Sequence, residues 1–214
     1  VDFKITAHSI CDMMAKAIFR LDPDDLAYLF ATGKNELFLR DHLATFMNRH
    51  LGLQGDEFIG REWKKHDLTV SNGHSLYAII EGKSYIHYDA ANPTHLEKGK
   101  KSIKRDIEKD LGKSRETLLR RSKRESNCKK IFTAVMFTVE VDPSFNESFG
   151  NITYAKYHRQ GGSRFNGYDK LVEAGRENLE RLLREYGEVH SVFFPTGSYK
   201  GMKVHVDFFA VESN

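Results

Sequence analysis

Asp67-Leu-Thr-Val-Ser-Asn-Gly-His-Ser-Leu-Tyr-Ala-Ile-Ile-Glu-Gly-Lys83 is the stretch on which the fold turns. Asp67 to Val70 and Leu76 to Ile86 are β-rich runs on either side of Asn72-Gly73, a turn dipeptide, so the stretch reads as a β-hairpin. Side chains alternate along a strand, which sets Ile79, Glu81, Lys83 and Tyr85 on one face and Ile80 and Ile86 on the other. Apolar residues on both faces are what a strand covered on both sides requires. The expected fold is therefore α/β, a central mixed β-sheet flanked by helices.

A Glu and a Lys directly after Ile79-Ile80 are costly to bury unless paired or metal-bound. Two carboxylates, Asp67 and Glu81, suit Mg²⁺, a hard cation that takes one or two carboxylates, keeps waters and completes its shell with substrate phosphates. The ammonium of Lys83 beside such an ion would hold or activate an attacking water and offset charge growing on a phosphate oxygen. The chemistry implied is phosphodiester hydrolysis. Register tests this reading. A strict two-residue Asn72-Gly73 loop would pair Ser71 with His74 and set Asp67 opposite Ala78, facing away from Glu81. A three- or five-residue loop, or a bulge, sets Asp67 opposite Ile79, on the face of Glu81 and one diagonal step from it. A shared site predicts the irregular hairpin.

Asp67 followed by Glu81-Gly82-Lys83 resembles the metal site of the PD-(D/E)xK, or restriction-endonuclease-like, nucleases, with His66 where that pattern has Pro. The resemblance rests on the order helix with Glu, strand, Asp strand, Glu-x-Lys strand, basic helix, and covers roughly residues 34 to 141. It implies a restriction-endonuclease-like core in which Asp67 and Glu81, with the Gly82 carbonyl, hold Mg²⁺, for which Mn²⁺ can substitute. Lys83 then positions or activates water, and Glu36, in the helix Asn35 to Ala44, orients this set or supports a second ion. The activity implied is a Mg²⁺-dependent DNA endonuclease. A type II restriction enzyme acting as a homodimer on a palindromic site is one form of it, and a repair, recombination or phage nuclease is another. A non-catalytic nucleic-acid-binding module on the same fold is the alternative from a different class. The plain structural alternative makes Asp67 the start of a strand and pairs Glu81 with Lys83 on an exposed edge, at little energetic value.

Charge supports a polyanionic partner. The 214 residues carry a net charge of +3, yet the span from Lys98 to Lys130 holds fourteen Lys or Arg against five Asp or Glu, leaving a mildly acidic remainder. A basic block on an acidic body is the footprint of a nucleic-acid surface, with Lys100, Lys101, Lys104, Arg105, Arg120, Arg121, Lys123 and Arg124 as the phosphate contacts. The competing reading is a solvated helix face with pairs such as Lys104 with Glu108 and Glu116 with Arg120.

The remaining elements follow from periodicity. Helices are expected from His8 to Arg20, from the Asp22 cap and Pro23 onward, and from about Lys34 to Leu51, this last burying Leu37, Phe38, Leu43 and Phe46 or Met47 and ending at Gly52. Strands are expected at Glu57 to Trp63 and Ile131 to Val141, with a basic helix from Ser102 to Arg124 bent near Gly112. A short strand from Asn151 to Tyr157, a Gly- and Arg-bearing loop from Arg159 to Gly167, a helix from Tyr168 to Tyr186 and two strands, Val189 to Pro195 and Lys203 to Val211, complete the chain. The length fits one nuclease domain over 1–214, with N-terminal helices to residue 33, a catalytic core over 34–141 and a completing helix and strands over 142–214. Cys11 and Cys128 lack any partner spacing and are expected as free thiols. No run of about eighteen apolar residues or apolar leader is present, so a cytoplasmic protein without membrane contact is expected. His66, His87 and His205 have no ligand spacing and receive no catalytic role. As a strand neighbour of Asp67, His66 is expected to face the other way.

Overall fold

The computed structural model describes residues 5–33, 35–63, 66–72, 75–106, 128–141, 167–194 and 196–213. Three helices come first, each started by local chemistry. α1 (Ala7–Ile18) begins at Thr6, whose hydroxyl accepts the Ser9 N–H while Ser9 Oγ accepts that of Thr6, satisfying two donors that a helix start leaves open. α2 (Pro23–Thr32) has the expected Pro in its first turn, and Asp22 Oδ1 accepts from the N–H groups of Asp24 and Asp25. α3 (Glu36–His50) buries Leu39, Leu43, Phe46 and Met47 along one stripe. Leu37, expected inside, is 55% exposed because it lies off that stripe. Glu36 and Arg40 lie on it. Gly52, at φ 63, supplies the left-handed residue after the helix end.

β1 (Phe58–Trp63), β2 (His66–Ser71) and β3 (Leu76–Ile86) form an antiparallel meander. β4 (Lys129–Val141) lies parallel to β3. A parallel neighbour needs a crossover, and α4 (His87–Ala91) and α5 (Pro93–Asp106) form its described part. Beyond it come α6 (Tyr168–Leu183), β5 (Val189–Phe194), β6 (Ser198–Tyr199) and β7 (Met202–Glu212). The sheet is mixed and seven-stranded, ordered β1-β2-β3-β4-β7-β5, with β6 paired to β7. Helices cover both faces. α1, α2 and α3 pack Met14, Phe30, Leu39 and Leu43 against Leu68, Ile80, Val135 and Phe208. On the other face Leu179, Leu182 and Leu183 of α6 meet Ile79, Phe132 and Phe209. Ile79 and Ile80 thus enter different cores, which is the two-sided burial that alternation on β3 predicts.

The hairpin is irregular, as a shared site requires. Val70 pairs with Ala78 but Ser71 pairs with Leu76, so Tyr77 is an extra residue on β3. Without that bulge the Ser71–Leu76 register would carry Asp67 level with Ile80, on the face away from Glu81. With it, Thr69 pairs with Ile79 and Leu68 with Ile80, where the β2–β3 ladder ends. Asp67 lies beyond the last pair of this ladder, and its expected partner Ile79 pairs with Thr69 instead.

The basic helix starts earlier than expected, at Pro93, and Lys101, Lys104 and Arg105 are exposed on it. Arg120, Arg121, Lys123 and Arg124, the side chain of Lys100, the expected strand at 151–157 and the loop over 159–166 lie outside the described residues. Cys11 and Cys128 are free. Burial, and next to it the charge of Asp12, pushes the Cys11 thiol up to about 12. Among the described residues no helix is long and apolar enough to cross a membrane.

Candidate active site

Three elements bring charged groups to one cavity on the α1–α3 side of the sheet. α3 supplies Glu36 and Arg40, β2 supplies Asp67, and β3 supplies Gly82 and Lys83. Its walls are apolar, built from Met14, Leu39, Leu43, Ile80, Val135 and Phe208. The cavity volume is ≈ 30 Å³. A buried water needs about 10–15 Å³ of such space, so the cavity takes one or two particles of water size and no organic substrate. A substrate must lie at its mouth. Apolar walls also strengthen any charge interaction made inside.

The geometry at the mouth is specific. Asp67 Oδ2 accepts the backbone N–H of Gly82 at 2.8 Å, which fixes that carboxylate across the end of the β2–β3 ladder. A β-carbon at Gly82 would stand 3.0 Å from Thr133 Oγ1 and 3.8 Å from Asp67 Oδ2, so the glycine keeps the floor between them open. Thr133 Oγ1 donates in turn to the carbonyl oxygen of Glu81 at 3.1 Å. Lys83 Nζ lies 3.8 Å from Glu36 Oε1, both side chains about one-third exposed. Of the expected residues, Glu36, Asp67, Gly82 and Lys83 are thus gathered.

Glu81 is placed differently. It is 3% exposed and its Oε1 lies 2.6 Å from His66 Nδ1, the separation of a charge-assisted hydrogen bond. Glu81 does not line the cavity, and among the described residues no three His, Cys, Asp or Glu side chains are grouped to hold a metal ion. Two carboxylates still converge on the cavity, Glu36 and Asp67, and that number suits Mg²⁺, which takes few protein ligands. Glu81, expected as a ligand beside Asp67, is turned to His66 instead.

Two further residues belong to the site and were missed in the sequence. His66 is one. Its partner Glu81 lies on the next strand, and no spacing in the sequence marks that pair. Arg40 is the other, and only its place four residues after Glu36 on the buried stripe marks it. Its guanidinium bridges Asp41 Oδ1 at 3.0 Å and Glu62 Oε1 at 2.8 Å, and Arg61 reaches Asp41 Oδ2 at 3.1 Å. Burial works against the Arg40 charge, but the hydrogen bonds of Glu62 and Asp41 outweigh it and the net shift is upward, so it remains a cation. Glu62 is held in the left-handed region at φ 51, a conformation that costs a non-glycine residue about 1–2 kcal/mol.

No protein-family model matches the chain, and no curated protein or solved structure is significantly similar to it. The α/β class therefore stands on the architecture itself, and the chemistry on the site.

Proposed function

We propose that this protein is a Mg²⁺-dependent nuclease that hydrolyses phosphodiester bonds in DNA, of the restriction-endonuclease-like kind, working in the cytoplasm. The observation that carries the reading is the convergence of Glu36, Asp67 and Lys83, from a helix and two strands, on a cavity of ≈ 30 Å³. The order helix with Glu36, strand, Asp67 strand, Glu81-x-Lys83 strand and then helix adds support, because it is the order in which the resemblance places these groups. Asp67, tied through Oδ2 to Gly82, keeps Oδ1 for an ion that Glu36 approaches from α3. Mg²⁺ bound there supplies Lewis acidity toward a phosphate oxygen. Lys83 offers its ammonium to the attacking water or to the phosphate oxygen that gains charge. Glu81 stays in the proposal as a carboxylate whose direction His66 sets.

Supercoiled plasmid incubated with the purified chain in Mg²⁺, Mn²⁺ or EDTA, followed by sequencing of the ends, tests this. Cleavage is expected with either metal and absent in EDTA. Lys83→Ala should lower it about a hundred-fold or more while the variant melts as the parent does. Parental cutting by that variant removes Lys83 from the mechanism. The second reading, a binding module without catalysis, is favoured by one observation, the commitment of Glu81 to His66. It predicts DNA retention with no metal-dependent cleavage.

A further inference from the structure

Away from the cavity, two continuous grooves run between the end of α1 and the second half of α3. The larger, ≈ 670 Å³, is lined by Met13, Lys16, Phe19, Arg20, Phe46 and His50. The smaller, ≈ 350 Å³, shares Arg20 and Phe46 and extends along α3 past Arg49 and His42 to Asp41. Asp41 is the residue that Arg40 of the cavity bridges, so the grooves lead back to the candidate active site. From Glu36 to His50 the helix spans about 20 Å at 1.5 Å per residue, about six steps of a stacked nucleic-acid strand.

Two features of this channel, its cations and Phe19, are turned to solvent. Lys16, Arg20 and Arg49 are exposed and, among the described residues, have no carboxylate within ion-pair range, whereas Arg40, Arg61, Arg176, Arg184 and Lys129 each have one. The one acid on the path, Asp41, is already taken by Arg40 and Arg61. Phe19, at the C-cap of α1, is 78% exposed, the most exposed large apolar side chain described. Arg20 lies 5.3 Å over the ring of Phe46, and Phe46 stacks on His50 at 4.2 Å between ring centroids. Unpaired cations alone suit any polyanion, but a bare phenyl ring beside them has no partner in a phosphate backbone. An unpaired base supplies one, because every base has a face to stack.

We propose that this α1–α3 channel binds an unpaired nucleic-acid strand, with phosphates on Lys16, Arg20 and Arg49 and a base stacked on Phe19. Resting on the nuclease reading, it makes the substrate a DNA with a single-stranded segment leading to the Glu36 and Asp67 cavity. An intact duplex face would leave Phe19 unused. Lys16, Phe19, Arg20 and Arg49 are all exposed, so replacing them leaves the cores untouched.

Fluorescence anisotropy of the full chain with labelled oligothymidine and with a blunt duplex, in EDTA, reads binding without cleavage. Replacing Lys16, Arg20 and Arg49 together by Gln should weaken oligothymidine binding and lower the slope of log affinity against log salt by about 2. Phe19→Ala should weaken oligothymidine binding about five-fold or more and leave the duplex unchanged, and Phe19→Trp should retain the parent affinity. Parental affinity and slope in the triple variant overturn the proposal. So does an equal loss on duplex with Phe19→Ala, or displacement of the oligonucleotide by polyglutamate with no dependence on Phe19. A chain that binds as proposed but never cuts keeps the channel and loses the nuclease. A chain that cuts plasmid while both variants bind normally loses only the channel.

Discussion

Among the described residues two buried carboxylate–imidazole pairs meet at this sheet, Glu81 with His66 at 2.6 Å and Asp207 with His87 of α4 at 3.0 Å, and they have different surroundings. Asp207 also accepts from Arg176 Nε and Nη2, each at 2.8 Å, so a strand, the crossover and α6 are tied by one carboxylate. Gly175 shows how closely the elements are drawn together: a β-carbon there would stand 3.0 Å from His87 Cδ2. A mid-helix glycine costs about 0.5–1 kcal/mol relative to alanine, which the close approach of α4 offsets. The Glu81 pair joins two adjacent strands beside a cavity that holds a Lys and two more carboxylates. The same chemical pair is thus a clamp, tied to a guanidinium, in one place and is set next to Glu36, Asp67 and Lys83 in the other. Burial and pairing by themselves do not separate structure from chemistry; what fills the other side of the carboxylate does.

Substitutions on the two sides should break in opposite ways. The largest effect is expected at the cavity, where Asp67→Asn removes an anionic ligand and lowers plasmid cleavage about a hundred-fold or more, with weaker metal binding by calorimetry on a DNA complex and an unchanged urea midpoint. A loss of stability comparable to the loss of activity would make Asp67 another clamp. Next comes Asp207→Ala, which leaves a buried imidazole and a half-buried guanidinium without their acceptor and should cost about 3 kcal/mol in urea unfolding. A cost under about 1 kcal/mol would show that Arg176 finds water instead.

The smallest effect lies on the clamp's own strand. His205 is held below the usual histidine range by burial, then by the charges of Lys203 and His87, and Glu140, 3.5 Å away, does not restore it. In the unfolded chain an ordinary histidine takes its proton near pH 6.5, while the folded chain resists until the pH is lower. The unfolded state therefore binds more protons in that window, and stability falls as pH drops below about 6.5. His205→Gln should flatten that part of a melting-temperature profile. An unchanged profile would place the acid sensitivity elsewhere.

Much of this fold was legible because its signals are local. The Asp22-Pro23 start of α2, the Gly52 stop of α3 and the two-sided alternation of Ile79 and Ile80 each depend on residues within a turn or a pleat of one another. Leu37 was misplaced because adjacent apolar residues leave the centre of a stripe open by one position, and packing of α3 against β2 and β3 settles it on Leu39 and Leu43. The carboxylates, the glycine and the lysine of the cavity were readable as types at a spacing. Which of them share a space was not, because the ladder ends at Leu68 and the side chains beyond it follow their own partners.

By itself, then, the sequence determined most of the described elements, their order, the burial of β3 on both faces and the need for an odd residue in the hairpin, since these follow from repeats of about two or 3.6 residues, from capping side chains and from register. The tertiary structure decided that Tyr77 is that residue, that Glu81 turns to His66 while Asp67 turns to Gly82, and that Asp207 meets His87 across 120 positions of chain. Such pairs carry no local signature. They form only when the crossover and the helices on each face have fixed which strands lie side by side, and a buried charge then takes the partner that this arrangement leaves within reach.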